Sequence, residues 1–286
     1  MPPKKVVQYK GKILFLHGYT QTSSIFYAKT SALRKRLTKL NYKSVYLNGP
    51  LKLTPADLPS NDELSKFNTV VASDSEETNY RAWWVKPHKS NDGIDLEEGI
   101  ATIRNYIKNG VIIPDEDMKE EPETEEERKL PIAGVVGFSQ GAALGGIIAH
   151  KFKELFDTPS PKFFILYSGF KLDTSKSSGN DKYESHYPDP EESIDFKFLH
   201  VYGELDTVVD ETRALSLYEA TKSSSDLLKH PGGHFVPNSK LFIDQVTNWI
   251  QITEKEDEEG KGNNEQKKEE DDLDSLMDMM DNLGKA

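Results

Sequence analysis

The sequence predicts an α/β fold with a mostly parallel central sheet, and three observations carry that reading. Apolar runs of strand length alternate with segments of helical periodicity through most of the chain. The apolar run Ile132-Ala133-Gly134-Val135-Val136 passes into a helix-like segment through Gly137-Phe138-Ser139-Gln140-Gly141. Residues capable of chemistry also fall just after strand-like runs, where the carboxyl ends of parallel strands form clefts.

Taken in order, a strand is expected over 12–16, an almost wholly apolar run broken by His17-Gly18. A helix follows over 30–40, because Leu33, Leu37 and Leu40 share one side while Arg34, Lys35, Arg36 and Lys39 fall mostly elsewhere. The run 44–47 reads as the next strand, stopped by Asn48-Gly49-Pro50, and 82–85 as another. Segment 95–108 has acids in its first turn, Ile100, Ile103 and Ile107 on one face and Gly110 as terminator, the marks of a helix. Strand 132–136 leads into a helix over 140–156; strands at 163–167 and 196–202, a helix at 212–221, a short strand at 227–230 and a helix at 239–250 complete the set. Such alternation implies right-handed crossovers between parallel strands.

The 286 residues suit one large domain with appendages. The net charge of −12 is uneven: 115–129 holds nine acids against three bases, and 253–286 holds 13 against five. The remainder is nearly neutral, so the acidity is expected in two solvated appendages. No basic stripe points to nucleic acid. The absence of cysteine excludes disulfides and thiolate metal sites. Neither HExxH nor a dense His/Asp cluster suggests a metal, and no cofactor is expected. No run of 18 apolar residues predicts a membrane span and no apolar core of a signal peptide follows the N-terminus, so the expected compartment is the cytosol.

A strand turning abruptly into a helix through G-x-S-x-G is the nucleophile elbow of α/β-hydrolases, and that fold is the expectation here. The serine takes strained backbone angles, and the residues two before and two after it must be small to avoid the strand or the helix. A phosphate loop fits less well, since no Lys-Ser or Lys-Thr pair follows the glycines, and a dinucleotide fingerprint lacks its G-x-G pair. In such hydrolases the acid and then the histidine follow the serine. After strand 196–202 comes Gly203-Glu204-Leu205-Asp206, and Asp206 is the expected acid, with Glu204 and Asp210 as alternatives. After strand 227–230 comes His230-Pro231-Gly232-Gly233-His234, and His234 is the expected base, since the paired glycines let the loop fold back over the elbow. His17-Gly18-Tyr19-Thr20 resembles an oxyanion loop, making the backbone N–H groups of Tyr19 and Gln140 the expected donors, with His17 bracing the loop. His88, His150, His186 and His200 are expected at surface or packing positions. Trp83 and Trp84 read as packing residues or as a wall of the acyl pocket.

Several motifs together resemble the fungal FSH proteins, a family of serine hydrolases related to the ovarian cancer-associated serine hydrolase. They are Leu14-Phe15-Leu16-His17-Gly18-Tyr19, Ala28-Lys29-Thr30 with Leu33-Arg34-Lys35, Trp83-Trp84 and Gly137-Phe138-Ser139-Gln140-Gly141-Ala142. Further matches are Ser168-Gly169-Phe170, Gly203-Glu204-Leu205-Asp206 and His230-Pro231-Gly232-Gly233-His234-Phe235-Val236-Pro237-Asn238. The similarity looks strongest to a budding-yeast member and spans about 11–252, with a patch at Asp281-Asn282-Leu283-Gly284-Lys285. It implies an α/β-hydrolase acting on esters and supports Ser139, Asp206 and His234 by their motif positions. The acidic insertion at 115–130 departs from the family's shorter link before the elbow.

The expected organisation is an extension over 1–10, a hydrolase domain over 11–252, a disordered acidic linker over 253–272 and an amphipathic helix over 273–286. The expected activity is hydrolysis of a small-molecule ester or thioester through a Ser-His-Asp triad and an acyl-enzyme. The alternative is an idle hydrolase scaffold that binds partners through its tail. Leu273, Leu276, Met277, Met280 and Leu283 recur there at helical spacing and offer a face for a protein partner or for self-docking. The stretch 168–196 reads either as a flap over the pocket or as a plain surface loop.

Overall fold

The computed structural model describes residues 8–54, 57–58, 79–86, 93–118, 122–189, 192, 194–257 and 259. The chain divides into a unit of residues 1–243 and a second of residues 244–286. In chain order the strands are β1 (Gly11–Leu16), β2 (Tyr42–Leu47), β3 (Leu51–Lys52), β4 (Arg81–Ala82), β5 (Ile132–Phe138), β6 (Phe163–Tyr167), β7 (Lys197–Gly203) and β8 (Ser225–His230). The helices are α1 (Ser23–Lys29), α2 (Ser31–Lys39), α3 (Glu97–Asn109), α4 (Glu125–Arg128), α5 (Gln140–His150), α6 (Phe152–Phe156) and α7 (Glu211–Ala220), and a last helix begins at 240.

Six strands form one sheet in the order β2-β1-β5-β6-β7-β8, parallel at every pairing. The chain moves outward from β1 to the edge at β2, then returns past β1 to β5 and builds the other half. That reversal puts the loops after β1 and β5 side by side, with Leu16 paired to Gly137, and a cleft opens where neighbouring connections diverge. Every residue of β1 is buried, as expected of a parallel strand covered on both faces. One core joins Leu14 and Leu16 of β1 to Ile100 and Ile103 of α3 and to Ile147 and Ile148 of α5.

The helix expected over 30–40 is present as α2, and a further helix, α1, precedes it unannounced by the sequence. Thr22 caps α1 by accepting from the Ile25 N–H, and α2 follows after Thr30. The helix expected over 140–156 breaks at Lys151 into α5 and α6. The run at 82–85 contributes only Ala82 to a strand, paired antiparallel with Leu51 and outside the main sheet. Gly110 ends α3 with φ 67°, as its sequence position suggested. The last helix runs on to 257, past its expected end at 250 and into the start of the stretch read as a linker. The rest of that stretch to 272, apart from residue 259, the proposed tail helix over 273–286 and residues 1–7 lie outside the described residues.

The described part of the acidic stretch is not a plain solvated appendage. Asp115 accepts from the Ser23 hydroxyl (2.9 Å) and the Ser24 N–H (2.8 Å), and burial raises its pKa less than these donors lower it. Glu123, whose side chain is only 8% exposed, accepts from the Tyr106 hydroxyl and lies 3.8 Å from Lys12 Nζ. Thr124 and Glu127 form a reciprocal capping box on α4, and Glu127 pairs with Lys43 at 3.1 Å. Carboxylates with partners this far away in sequence cannot be told from solvated ones by composition.

Candidate active site

Ser139 caps α5 with φ 51° and ψ −113°, a strained conformation for a residue with a side chain. Its N–H donates to the Tyr167 carbonyl at 2.8 Å, tying the turn to β6. The two elbow glycines are required by space. A Cβ on Gly137 would lie 2.6 Å from Ala142 Cα and the Gly141 carbonyl, inside α5. On Gly141 it would lie 2.1 Å from the Leu16 carbonyl and 2.5 Å from that of His17, so the second glycine makes room for the end of the neighbouring β1.

The acid and histidine loops close on each other beyond β7 and β8. Glu204 N–H donates to the His230 carbonyl (2.8 Å) and Leu205 N–H to that of Gly232 (3.0 Å). A Cβ on Gly203 would meet the Gly232 and Gly233 carbonyls at 2.4 and 2.5 Å, so only glycine allows this approach. His230 ends β8, and its Nδ1 accepts from the Gly232 N–H at 3.2 Å. The structure brings His234 and Asp206 together, with His234 Nδ1 2.8 Å from Asp206 Oδ2. A carboxylate can only accept, so the proton sits on Nδ1 and Nε2 is the basic nitrogen.

Asp206 takes three further donors: the Ser168 hydroxyl on Oδ2 and the N–H groups of Val208 and Val209 on Oδ1, each at 2.9 Å. Burial raises its pKa, but the hydrogen bond and charge of His234 with these two amides hold it below the ordinary carboxylate value. Ser168, with φ 47° just after β6, thus contacts the candidate acid, a contact the sequence did not reveal; Ser168-Gly169-Phe170 stood out there only as a family match. The alternative acids are occupied elsewhere. Glu204 lies 3.4 Å from Lys229, and Asp210 caps α7 by accepting from the Arg213 N–H.

The imidazole of His234 lies beside the elbow, its ring centre 4.8 Å from that of Phe138. Gly18 packs on the same residues, since a Cβ there would be 2.9 Å from the Phe138 ring and 3.4 Å from Ser139 Cβ. This brings the segment preceding Tyr19 against the elbow. His17 is fully buried, with Nδ1 on the Gly18 carbonyl (2.8 Å) and Nε2 accepting from the Gly49 N–H (2.9 Å). Burial pushes its pKa down to about 4 and keeps it neutral, as a brace for the loop. The Tyr19 hydroxyl donates to the Asp57 carbonyl at 2.6 Å.

Gln140, next to Ser139, clamps the tryptophan segment. Its Oε1 accepts from the Trp83 N–H and its Nε2 donates to the Trp84 carbonyl, both at 2.8 Å. Trp83 is fully buried and donates its indole N–H to the His17 carbonyl (2.9 Å), whereas Trp84 lines a cavity of about 810 Å³. A second cavity of about 380 Å³ is lined by His234, Phe138, Phe26, Phe235 and Val236, among others. His200 is buried and bonded to Thr221, burial pushing its pKa down to about 3; His150 and His186 are half-buried, and His88 lies outside the described residues. The stretch 168–196 is pinned where it is described: Asn180 Oδ1 accepts from the Ile94 N–H, and the Tyr187 hydroxyl from the Leu172 N–H. Among the described residues no group of three or more His, Cys, Asp or Glu side chains could hold a metal ion, and no helix is long and apolar enough to cross a membrane.

The FSH1 family, described as serine hydrolase, matches residues 7–246. Family of serine hydrolases 3 of Saccharomyces cerevisiae is 37% identical, over 96% of this chain and 98% of its own. The zebrafish esterase OVCA2 is 30% identical, over 79% of this chain and 90% of its own. Among solved structures, esterase PE8 superposes with a TM-score of 0.54 at 17% identity, covering 87% of this chain and 95% of its own, and maize acyl-protein thioesterase 2 with 0.50 at 18%, covering 86% and 94%. Those two likenesses are of fold alone, and the fold is that of the α/β-hydrolases. With a family match across most of its length, the chain belongs to the FSH1 family of serine hydrolases.

Proposed function

We propose that this serine hydrolase cleaves carboxylic esters or thioesters of small or medium acyl groups, with Ser139 as nucleophile, His234 as base and acid, and Asp206 behind the histidine. The observation that carries the reading is the 2.8 Å bond from His234 to Asp206, beside an elbow serine held at φ 51°. His234 Nε2 takes the Ser139 proton as Oγ adds to the substrate carbonyl, and Asp206 stabilises the imidazolium that forms. The negative charge moves to the carbonyl oxygen, which takes the N–H groups of Tyr19 and Gln140. Gln140 opens α5, whose first-turn N–H groups lack carbonyl partners within the helix and whose dipole favours an anion. Each such donor contributes about 2.7–4 kcal/mol to the transition state.

Collapse of the intermediate breaks the bond to the leaving oxygen or sulfur, which receives the proton from His234 Nε2. Water then adds to the acyl-enzyme, giving its proton to His234, and a carboxylic acid departs as Ser139 regains its proton. Since the leaving atom must meet Nε2, the leaving group belongs on the His234 side, in the cavity shared with Phe138 and Phe235. Trp84 is then a wall of the acyl side, with Trp83 packed behind it. The esterase among the relatives supports the ester reading. A fluorophosphonate probe tests the reading: wild type labels and Ser139→Ala does not. An unlabelled wild type, or labelling that survives in Ser139→Ala, refutes it. A series of p-nitrophenyl esters and matched thioesters then orders the acyl groups by kcat/KM.

A further inference from the structure

The cavity of about 810 Å³ has three walls, each linked to the proposed catalytic centre. On the first, the Trp84 carbonyl accepts from Gln140, one residue past Ser139. The second carries Phe170, two residues beyond Ser168, whose hydroxyl donates to Asp206. On the third, Arg213 donates to the Val208 carbonyl at 2.9 Å, while the Val208 N–H donates to Asp206. Under the proposed mechanism the leaving group takes the cavity of about 380 Å³, whose lining includes His234, as that of this cavity does not. On that reading the acyl chain on Ser139 extends toward this larger space, which Trp84 joins to Gln140, the residue after the serine.

Its lining carries three cations, Lys86, Lys171 and Arg213, against one carboxylate, Asp173. Lys171 is committed to Glu184 at 3.4 Å. Glu184 also takes the Thr174 hydroxyl, and Asp173 takes the Ser175 N–H at 2.9 Å, so both acids at this rim have protein partners. Neither Lys86 nor Arg213 forms an ion pair with a carboxylate among the described residues, although Lys86 feels the charge of Asp173. Arg213 is exposed but restrained: its guanidinium carbon lies 4.5 Å over the Phe170 ring and one N–H is fixed on Val208. A guanidinium restrained in this way loses little freedom on binding, and its remaining donors match the two oxygens of a carboxylate.

Resting on the hydrolase reading above, we propose that this cavity is the acyl subsite and selects acyl groups ending in a carboxylate, that is, half-esters or half-thioesters of dicarboxylic acids. Arg213 reads the terminal carboxylate, with Lys86 adding charge. The chain carries a net charge of −12, so an anion is not drawn in by the overall field, and selection arises from contact inside the cavity.

The test compares p-nitrophenyl hydrogen adipate with p-nitrophenyl methyl adipate, in which the same chain has its carboxylate capped. Wild type should favour the acid by about tenfold in kcat/KM, the effect of one charge-assisted hydrogen bond. Arg213→Met should bring the ratio close to one, and Arg213→Lys should restore part of it. A merely structural role through Val208 would slow both substrates together and leave the ratio alone. Equal kcat/KM for the two substrates in wild type, or a ratio unchanged in Arg213→Met, overturns the inference and leaves the hydrolase reading standing. Hydrolysis of neither ester by a wild type that still labels with the fluorophosphonate overturns the inference alone, and a wild type that neither cleaves nor labels overturns both.

Discussion

Replacing Asp206 with Asn tests the proposed centre most sharply, because the side chain keeps its shape and the hydrogen-bond pattern decides the outcome. Oδ1 accepts two backbone N–H groups and Oδ2 accepts from Ser168 and His234. An asparagine amide has one oxygen for these two positions. Turning its NH2 toward Val208 and Val209 would strand two N–H donors, at about 1–3 kcal/mol each when buried. The amide oxygen therefore stays at Oδ1, and the NH2 faces Ser168 and His234. The serine hydroxyl can rotate to accept. His234 Nδ1 can accept only by losing its proton, which moves to Nε2, the nitrogen that must receive the Ser139 proton. The expected result is a fall in kcat of about 10⁴-fold on a p-nitrophenyl ester, the size seen for the same change in a Ser-His-Asp protease. Thermal unfolding should show a folded variant. Activity within tenfold of wild type would refute the assignment, above all if Glu204→Gln or Asp210→Asn proved inactive.

Gly141→Ala forces a Cβ to within 2.1 Å of the Leu16 carbonyl; it should destabilise the fold by about 3 kcal/mol and abolish fluorophosphonate labelling, read by melting and by gel. Ser168→Ala removes one of four donors to Asp206 and should lower kcat by about tenfold with KM nearly unchanged, measured on a neutral ester. Acid should destabilise the protein through His17 and His200, whose folded pKa values, about 4 and about 3, lie below the unfolded value. As pH falls through the unfolded histidine range near 6.5, the unfolded chain takes up protons the native one refuses, so stability is lost down to the folded pKa. The loss is about 2.5 kcal/mol per imidazole between pH 7 and pH 4.5. Denaturant midpoints at the two pH values check this, and His200→Asn should flatten the dependence by about half. Asp206 adds to the loss at still lower pH, since its depressed pKa stabilises the fold only while the carboxylate is ionised.

What could be read from the sequence was encoded locally. Alternating apolar runs and periodic segments marked the parallel sheet, because a strand buried on both faces must be apolar along its length. The elbow was legible because its steric demand falls on residues adjacent to Ser139. Gly203 and the Gly232-Gly233 pair stood out for a similar reason, since two backbones approach each other there. Shorter elements escaped: α1 has seven residues and depends on the Thr22 cap, and β3 with β4 is a two-residue pair whose partners lie far apart in the chain.

The sequence alone determined the fold class and the loops that bear the candidate site residues, since both follow from patterns within a few residues. Only the tertiary structure decided which acid lies against His234, since Glu204, Asp206 and Asp210 share one loop and differ in which donors reach them. It also revealed Ser168 behind that acid, the burial of the Glu123 side chain against Lys12 and Tyr106, and the cationic wall formed by Arg213 over Phe170. Each of these joins groups from separate elements, and such meetings are set by how the sheet and helices pack.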